Sequence, residues 1–447
     1  MSSIFEMKQQ ARALFDQEQF LEAVSLYQTL WSEHHDDCDE WDGLTYARSL
    51  RKLGRSEKAL DICRQVYKMK PDFERNRNVY AWSIWDLHIK GATGAGPEAK
   101  SPEFMRAATA IVALVSPDQY SPYIKTVISV LKFLKDRKPY PAQQVLEWTD
   151  KVTPDQLSTE VWIGTDNKGR SIEHASEREL WYAHRCKALL ETGRLQECVD
   201  FANEAFTAVP KFHYDNDVWL RYHQALAMSR LGDNEVAVKQ LGELLVRKKD
   251  WFIYRDIAQC LHELGRLDEA LENALNAALA PLPEIENKWR LFLLMGLIFR
   301  EKNRTEDAQK HVLLSARVRK KRSDWKRTPQ ELTQALTDLG VDVDSGPSTD
   351  DLERELYQWW MRTKLADRPK LFGEVTNLLP NGTAGFIRGR EGEDYYFKIK
   401  SFKGPHHMLE LGLPVEFFVE KNPDPGKRDI AVEVRPRKSK DQTRTVS

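Results

Sequence analysis

The chain has 447 residues with 67 basic and 68 acidic side chains, so no net charge draws it towards nucleic acid or a membrane. It contains no apolar run long enough to span a bilayer, and its start, MSSIFEMKQQARALF, lacks the apolar segment of a signal peptide. Five scattered cysteines with no Cys-x-x-Cys pair argue against a disulfide framework and predict reduced, buried thiols in a cytoplasmic protein.

Over residues 1–327 the dominant signal is a helical repeat. Six times a small residue is followed twelve positions later by another: Ala11/Ala23, Ala47/Ala59, Cys186/Cys198, Ala225/Ala237, Ala258/Ala270 and Gly296/Ala308. Five positions before the second member stands Gly54, Gly193, Gly232 or Gly265, with Asn303 in the last copy. Paired helices approach closely only where side chains are small, and a glycine between them accepts the positive φ that ends the first helix. Pro71 and Pro210 close the second helix in two copies by removing a donor. A period of 33 to 39 residues at fixed offsets marks a solenoid of helical hairpins, an architecture that binds rather than transforms.

These offsets resemble the tetratricopeptide repeat (TPR) family, most clearly in YARSLRKLGRSEKALDICRQVYKMKP, AHRCKALLETGRLQECVDFANEAFTAVP and AQCLHELGRLDEALENALNAAL. The match weakens over 72–176, where Val130, Ala142 and Pro154 keep the spacing and a pair near Arg75–Lys90 and Pro102–Val115 fills a further slot. About eight hairpins are expected. Five tryptophans that begin repeats (Trp41, Trp181, Trp219, Trp251 and Trp289) are expected in the core. The resemblance implies a groove for a protein partner. In the second repeat Arg48 and Arg51 should line it; later repeats offer Tyr222, Arg255, Gln259, His262, Arg290 and Arg300. The Lys/Asn/Lys/Arg ladder by which some family members clamp a terminal carboxylate is missing, so an acidic or extended segment fits better. An insertion at 159–174 reads as a short hairpin around Trp162 and Ile163, either folded on the solenoid or offered for docking.

Residues 328–369 read as a helical cap and linker. Thr328, Pro329 and Glu331 suggest a capping-box start, and Leu352, Leu356, Trp359 and Trp360 form one apolar face suited to covering the open end of a solenoid. This stretch carries 4 basic and 9 acidic side chains, against 14 and 11 in residues 370–447. Just before it, RVRKKRSDWKR concentrates Arg317, Arg319, Lys320, Lys321 and Arg322, more cations than a helix C-terminus needs.

From Lys370 the period shortens to two. Five strand candidates within 370–436 predict a small closed barrel, followed by a basic flexible tail at 437–447. Gly373-Glu-Val375, Gly385-Phe386-Ile387 and Asp394-Tyr395-Tyr396-Phe397 resemble the cold-shock family of OB-fold domains. That resemblance implies a platform on which bases stack. Phe386 and Tyr396 remain of it, while Asn377, Leu378, Ala384, Lys398 and Ile399 replace its other members. Arg388, Arg390, Lys398, Lys400 and Lys403 could hold phosphates. The expected fold is therefore mainly α, with an all-β barrel at the end.

Catalytic signals are weak. Gly91 and Gly96 have phosphate-loop spacing, but Pro97-Glu98 stands where Lys-Ser/Thr is required. HHDDCDE at 34–40 holds metal-capable side chains in a loop between repeats, and no nucleophile motif or carboxylate pair has supporting context. The reading is a non-catalytic adaptor, without metal or cofactor, that holds a protein on its solenoid and RNA or single-stranded DNA on its barrel and basic linker. A purely protein-binding scaffold and a regulatory subunit of a nuclease or helicase complex are the alternatives.

Overall fold

The computed structural model describes residues 3–91, 101–165, 168–280, 284–321, 327–366, 368–422 and 426–437. Gly96–Glu98, Arg322 and the tail beyond Arg437 lie outside them. Among the described residues are eighteen α-helices, a two-stranded hairpin and a closed five-stranded barrel. None of the helices is long and apolar enough to cross a membrane. The chain divides into two compact units, Met1–Asp233 and Asn234–Ser447, with the division inside the helical array.

The first unit begins with α1 (Ile4–Asp16), α2 (Phe20–Glu33), α3 (Glu40–Lys52) and α4 (Ser56–Met69). It continues with α5 (Glu74–Ile84), α6 (Ser101–Leu114), α7 (Tyr123–Leu134) and α8 (Ala142–Thr149). After an insertion come α9 (Glu177–Glu191), α10 (Leu195–Ala208) and α11 (Asn216–Arg230). The small residues at twelve-residue spacing are fully buried, and Cys198 Sγ lies 3.3 Å from the carbonyl of Cys186. That distance leaves no room for a longer side chain. In the weakly matching region Val130 keeps its buried place, but Ala142 is only half-buried.

One turn geometry recurs between paired helices. Gly54, Gly193, Gly232 and Gly265 have φ of 72–100°, and the next amide reaches back five residues, as Arg55 N does to Leu50 O at 2.9 Å. Asn303 (φ 58°) does the same in the last copy. Glu18 (φ 61°) does so in the first, which the sequence pattern did not mark. The buried position of the tryptophans holds for Trp181 and Trp289, whereas Trp41 is 38 % exposed and Trp219 and Trp251 are half-buried. Their outer faces carry cations instead: Arg75 stacks 5.1 Å from the Trp41 ring and Arg255 lies 5.2 Å from Trp251.

The insertion is a hairpin of β1 (Trp162–Thr165) and β2 (Ser171–His174), antiparallel with Trp162 opposite His174. Those two rings stack at 4.5 Å, and Tyr214 Oη meets His174 Nδ1 at 2.5 Å. Trp162 and Ile163 remain 66 % and 62 % exposed.

The second unit contains α12 (Asn234–Leu244), α13 (Trp251–Glu263), α14 (Leu267–Leu279), α15 (Trp289–Glu301) and α16 (Thr305–Lys320). Gly296 explains its own identity, because a Cβ there would lie 2.5 Å from Val312 Cγ2. Next come α17 (Gln330–Asp338) and α18 (Thr349–Leu365). The expected capping box at Thr328 does not form: α17 is preceded by Pro329 without a side-chain cap, while Ser348 caps α18. Helix α18 packs on α14 and α16 with Leu352, Leu356 and Trp360 buried. Trp360 stacks on Phe292 at 5.4 Å and donates its indole N–H to His311 Nε2 at 2.9 Å. His311 Nδ1 faces the Asp307 carbonyl at 2.7 Å, so the proton sits on Nδ1 and the ring is neutral. Burial pushes its pKa down to about 4.

The barrel comprises β3 (Leu371–Leu378), β4 (Ala384–Gly389), β5 (Asp394–Lys398), β6 (Pro414–Glu420) and β7 (Ile430–Pro436). Its order is β3-β4-β5-β7-β6, closed between β6 and β3; only β5 and β7 run parallel. Val375, Ile387, Phe397, Val415, Phe417 and Val434 fill it. Alternation along each strand sends their neighbours outward.

Candidate nucleic-acid and partner surfaces

The barrel brings the two surviving platform rings together. Phe386 on β4 lies directly opposite Tyr396 on β5, with ring centroids 5.8 Å apart at 66°. Both are half-buried, leaving part of each ring open. A register shift in β3 between Val375 and Asn377 puts Asn377 opposite Phe386, so an amide continues the face where the cold-shock resemblance implies a ring. Ala384 is buried and pairs with Lys398, whose exposed ammonium stands beyond Tyr396 on the same strand.

Charge on this face is partly used within the chain. Arg388 Nε donates to Asp394 at 2.6 Å, and that contact holds the Asp394 carboxyl below the usual carboxylate range. Arg428 also reaches Asp394 at 3.3 Å while stacking 5.0 Å from the Phe386 ring. The sequence reading missed Arg428. It reaches the platform because Tyr396 N pairs with the carbonyl of the adjacent Asp429 at 3.0 Å, a link that only the strand order supplies. Lys400 is exposed, whereas Arg390 turns away and stacks on Phe372 at 5.1 Å.

The basic run at the end of α16 has a different fate from the one expected. Arg317 donates to the carbonyls of Val343 (2.9 Å), Ser345 (2.5 Å) and Pro347. Lys320 pairs with Asp344 at 3.1 Å and Lys321 with Asp350 at 3.3 Å. Arg319 stacks on Trp289 at 4.5 Å and donates to the Arg327 carbonyl. These side chains fasten the acidic linker to the array, while Lys320 and Lys321 stay exposed.

The predicted groove residues are likewise engaged by neighbours. In the first unit Arg51 pairs with Asp86 at 2.9 Å, Arg48 stacks on Phe15 at 4.8 Å, and Tyr222 packs edge-on to Trp219 at 5.9 Å. In the second, Arg255 pairs with Asp256, Gln259 donates to Glu263, and His262 meets Glu301 at 2.9 Å. Arg290 stacks on Trp289 at 5.1 Å and Arg300 reaches Asp338 at 3.4 Å. The surface is thus mixed in charge and lined by aromatic–arginine stacks, and exposed surface pairs of this kind exchange cheaply with a partner's charges.

The metal-capable loop is structural. Asp39 caps α3 reciprocally with Asp42, Lys8 pairs with Asp42 at 2.6 Å, and Cys38 is buried with its thiol pushed up to about 11. Among the described residues no three His, Cys, Asp or Glu side chains gather to hold a metal ion. All five cysteines are free and buried, and desolvation pushes Cys63 and Cys198 up to about 12.

Residues 222–284 match the tetratricopeptide repeat family. No curated protein is significantly similar to the chain. Among solved structures, the human IFIT1 dimer with PPP-AAAA is 13% identical with a TM-score of 0.35, covering 80% of this chain and 79% of that one. YrrB, a TPR protein with an unusual peptide-binding site, is 15% identical with a TM-score of 0.33, covering 52% and 98%. MamA AMB-1 is 15% identical at 0.32, covering 45% and 99%. Scores this low carry no argument about function. What stands is a TPR match over residues 222–284, within a mainly α chain that ends in a closed barrel.

Proposed function

We propose that this protein is a non-catalytic adaptor whose TPR-like hairpins hold a protein partner and whose barrel holds RNA or single-stranded DNA. The barrel is inferred to be a cold-shock-like OB fold. Five strands closing in the order β3-β4-β5-β7-β6 around an apolar core support that inference. The observation that carries the nucleic-acid reading is the cross-strand pair Phe386–Tyr396, half open and flanked by Arg428 and Lys398. Base stacking contributes about 1–3 kcal/mol per base, so two rings would hold two bases and leave most of the affinity to phosphates. A cytosolic setting fits the five buried free thiols.

The test is binding of a labelled single-stranded RNA across a salt series, by the intact protein and by Phe386→Ala/Tyr396→Ala. At least tenfold weaker binding in the variant, with a steep salt dependence in both proteins, is the expected result. Equal affinities would remove the platform from the proposal. A second reading, a scaffold for proteins alone, draws on the Arg388–Asp394–Arg428 cluster, which neutralises part of the barrel face. Intact protein that binds no RNA at any salt concentration would leave that reading standing.

A further inference from the structure

The barrel has a second face that the cold-shock resemblance does not mention. Helix α18 and the β6–β7 side of the barrel enclose a cleft of about 1090 Å³. Six basic side chains line it (Arg354, Arg362, Arg368, Lys370, Lys403 and Arg435) against the two carboxylates of Glu416 and Glu433. That volume sits at the upper end of the common range for ligand pockets, roughly 300–1,000 Å³, and leaves room for a short segment of chain.

The cleft wall is organised around Glu433. This residue is buried, yet its φ is 50°, a left-handed conformation that a glutamate adopts only when its surroundings impose it. Its carboxylate receives Lys403 at 3.0 Å and Arg435 at 3.4 Å, fixing two cations on the barrel wall. Lys370 pairs with Glu416 at 3.2 Å, and Arg368 donates to the Val419 carbonyl at 3.2 Å and faces Glu420 at 3.6 Å. On α18, Arg354 pairs with Asp351 at 3.1 Å, while Arg362 donates to the Gln358 carbonyl at 3.4 Å. The cations are therefore held in place but still outnumber their acids.

Two rings stand among them. Tyr357 on α18 is 43 % exposed, and Phe418 on β6 is half-buried with Lys370 Nζ 6.0 Å from its centroid. An acidic peptide would use the charges and leave the rings idle. A single strand of nucleic acid uses both, phosphates on the cations and bases on the rings. We infer that this cleft is a second single-strand nucleic-acid site, separate from the Phe386–Tyr396 face, and that the barrel grips its ligand on two sides. The inference deepens the proposed function and rests on its reading of the chain as a nucleic-acid binder.

The experiment uses the full chain and a fluorescein-labelled oligouridylate of about 12 nucleotides, within the usual span of such sites. Two variants are compared with wild type: Phe386→Ala/Tyr396→Ala on the platform, and Arg354→Ser/Tyr357→Ala/Arg362→Ser on α18. The three α18 side chains are exposed, so the second variant keeps its fold, which its melting temperature checks. It should bind about tenfold more weakly at physiological salt, and its salt slope should fall by about 1.4, the share of two phosphates on a single strand. Loss in the α18 variant alone would support the cleft and reject the platform. Loss in the platform variant alone would overturn the cleft and leave the proposed function standing. Wild type that binds no RNA would overturn both. Displacement of the RNA by polyglutamate of equal charge, seen in wild type but not in the α18 variant, would reassign the cleft to acidic peptides.

Discussion

In the helical array a glycine such as Gly54 faces open space, and only its φ of 72° demands it. In the barrel, Gly373 is demanded by space: a Cβ there would lie 2.3 Å from the Arg388 carbonyl oxygen, a backbone atom of the neighbouring strand. The contrast separates two ways of building a fold. Hairpins stack on one another and absorb local change, whereas a closed barrel shares every strand with two neighbours and has nowhere to move. Charge is arranged differently too: Arg317 binds carbonyls of the linker, and Lys320 and Lys321 are exposed but paired with Asp344 and Asp350, while the barrel carries exposed Lys398 and Lys400.

Acid should break the two regions apart first. His184 in the first unit is held down to about 4 by burial, with repulsion from Lys135, Lys187 and Lys132, and His311 in the second is held to about 4 by burial. Both rings are neutral in the fold, and the unfolded chain takes up protons as pH falls below about 6.5. Stability is therefore complete above that value and is lost between 6.5 and about 4, at the order of 3 kcal/mol for each ring. Residues 370–436 hold only two histidines, His406 and His407, and both are exposed rather than buried. All thirteen tryptophans precede Lys370, so their fluorescence follows the chain before the barrel, while amide exchange in β3–β7 follows the barrel. The fluorescence transition is expected at the higher pH. Coincident transitions would mean that the barrel depends on α18 staying docked through His311 and Trp360.

Two substitutions sharpen the difference. Gly373→Ala should cost the barrel about 3 kcal/mol, because the carbonyl it meets belongs to a paired strand and cannot withdraw. Gly296→Ala meets chiefly a side chain, Val312 Cγ2 at 2.5 Å, with the Ala308 carbonyl oxygen farther off at 3.2 Å. Overpacking of about 2 kcal/mol is offset by a gain of about 1 kcal/mol in helix propensity, leaving a net loss near 1 kcal/mol. Adding Val312→Ala should relieve the clash of Gly296→Ala, and no neighbouring truncation should rescue Gly373→Ala. Urea midpoints of wild type and these variants decide it.

The hairpins were legible because their constraint falls on few residue types at fixed spacing, and the five strands expected within 370–436 form as β3 to β7. The fate of the basic run was not legible, since Arg317 binds backbone carbonyls, and an acceptor that every residue possesses leaves no trace in a sequence. The tryptophans misled for a related reason. Repeat position predicts where Trp41 begins a helix, but its exposure depends on Phe73 and Arg75, which meet it across a loop. The α18 cleft joins residues about eighty positions apart, from Arg354 to Arg435, so no local pattern announces it. Of the platform, Phe386 and Tyr396 could be named in advance, while Arg428 needed the parallel pairing of β5 with β7.

The smallest effect tests whether the array's turn is a rule of geometry rather than of sequence. Glu18 occupies the place of Gly54: its amide bonds to Phe15 O at 3.0 Å, and Gln19 N reaches back to Leu14 O at 2.9 Å, matching Gly54 to Arg51 and Arg55 to Leu50. A glutamate at φ 61° bears a Cβ clash worth about 1–2 kcal/mol that glycine escapes. Glycine gives back about 0.4–1 kcal/mol through the greater freedom of its unfolded chain. Glu18→Gly should therefore stabilise the first hairpin by roughly 0.5–1 kcal/mol, read as slower amide exchange in α1 and α2. Glu18→Asn should fall between the two, because asparagine tolerates this region and already fills it at Asn303. A loss of protection in Glu18→Gly would show that the first hairpin gains more from the glutamate side chain than its backbone loses, and that the turn is set by local contacts in each copy.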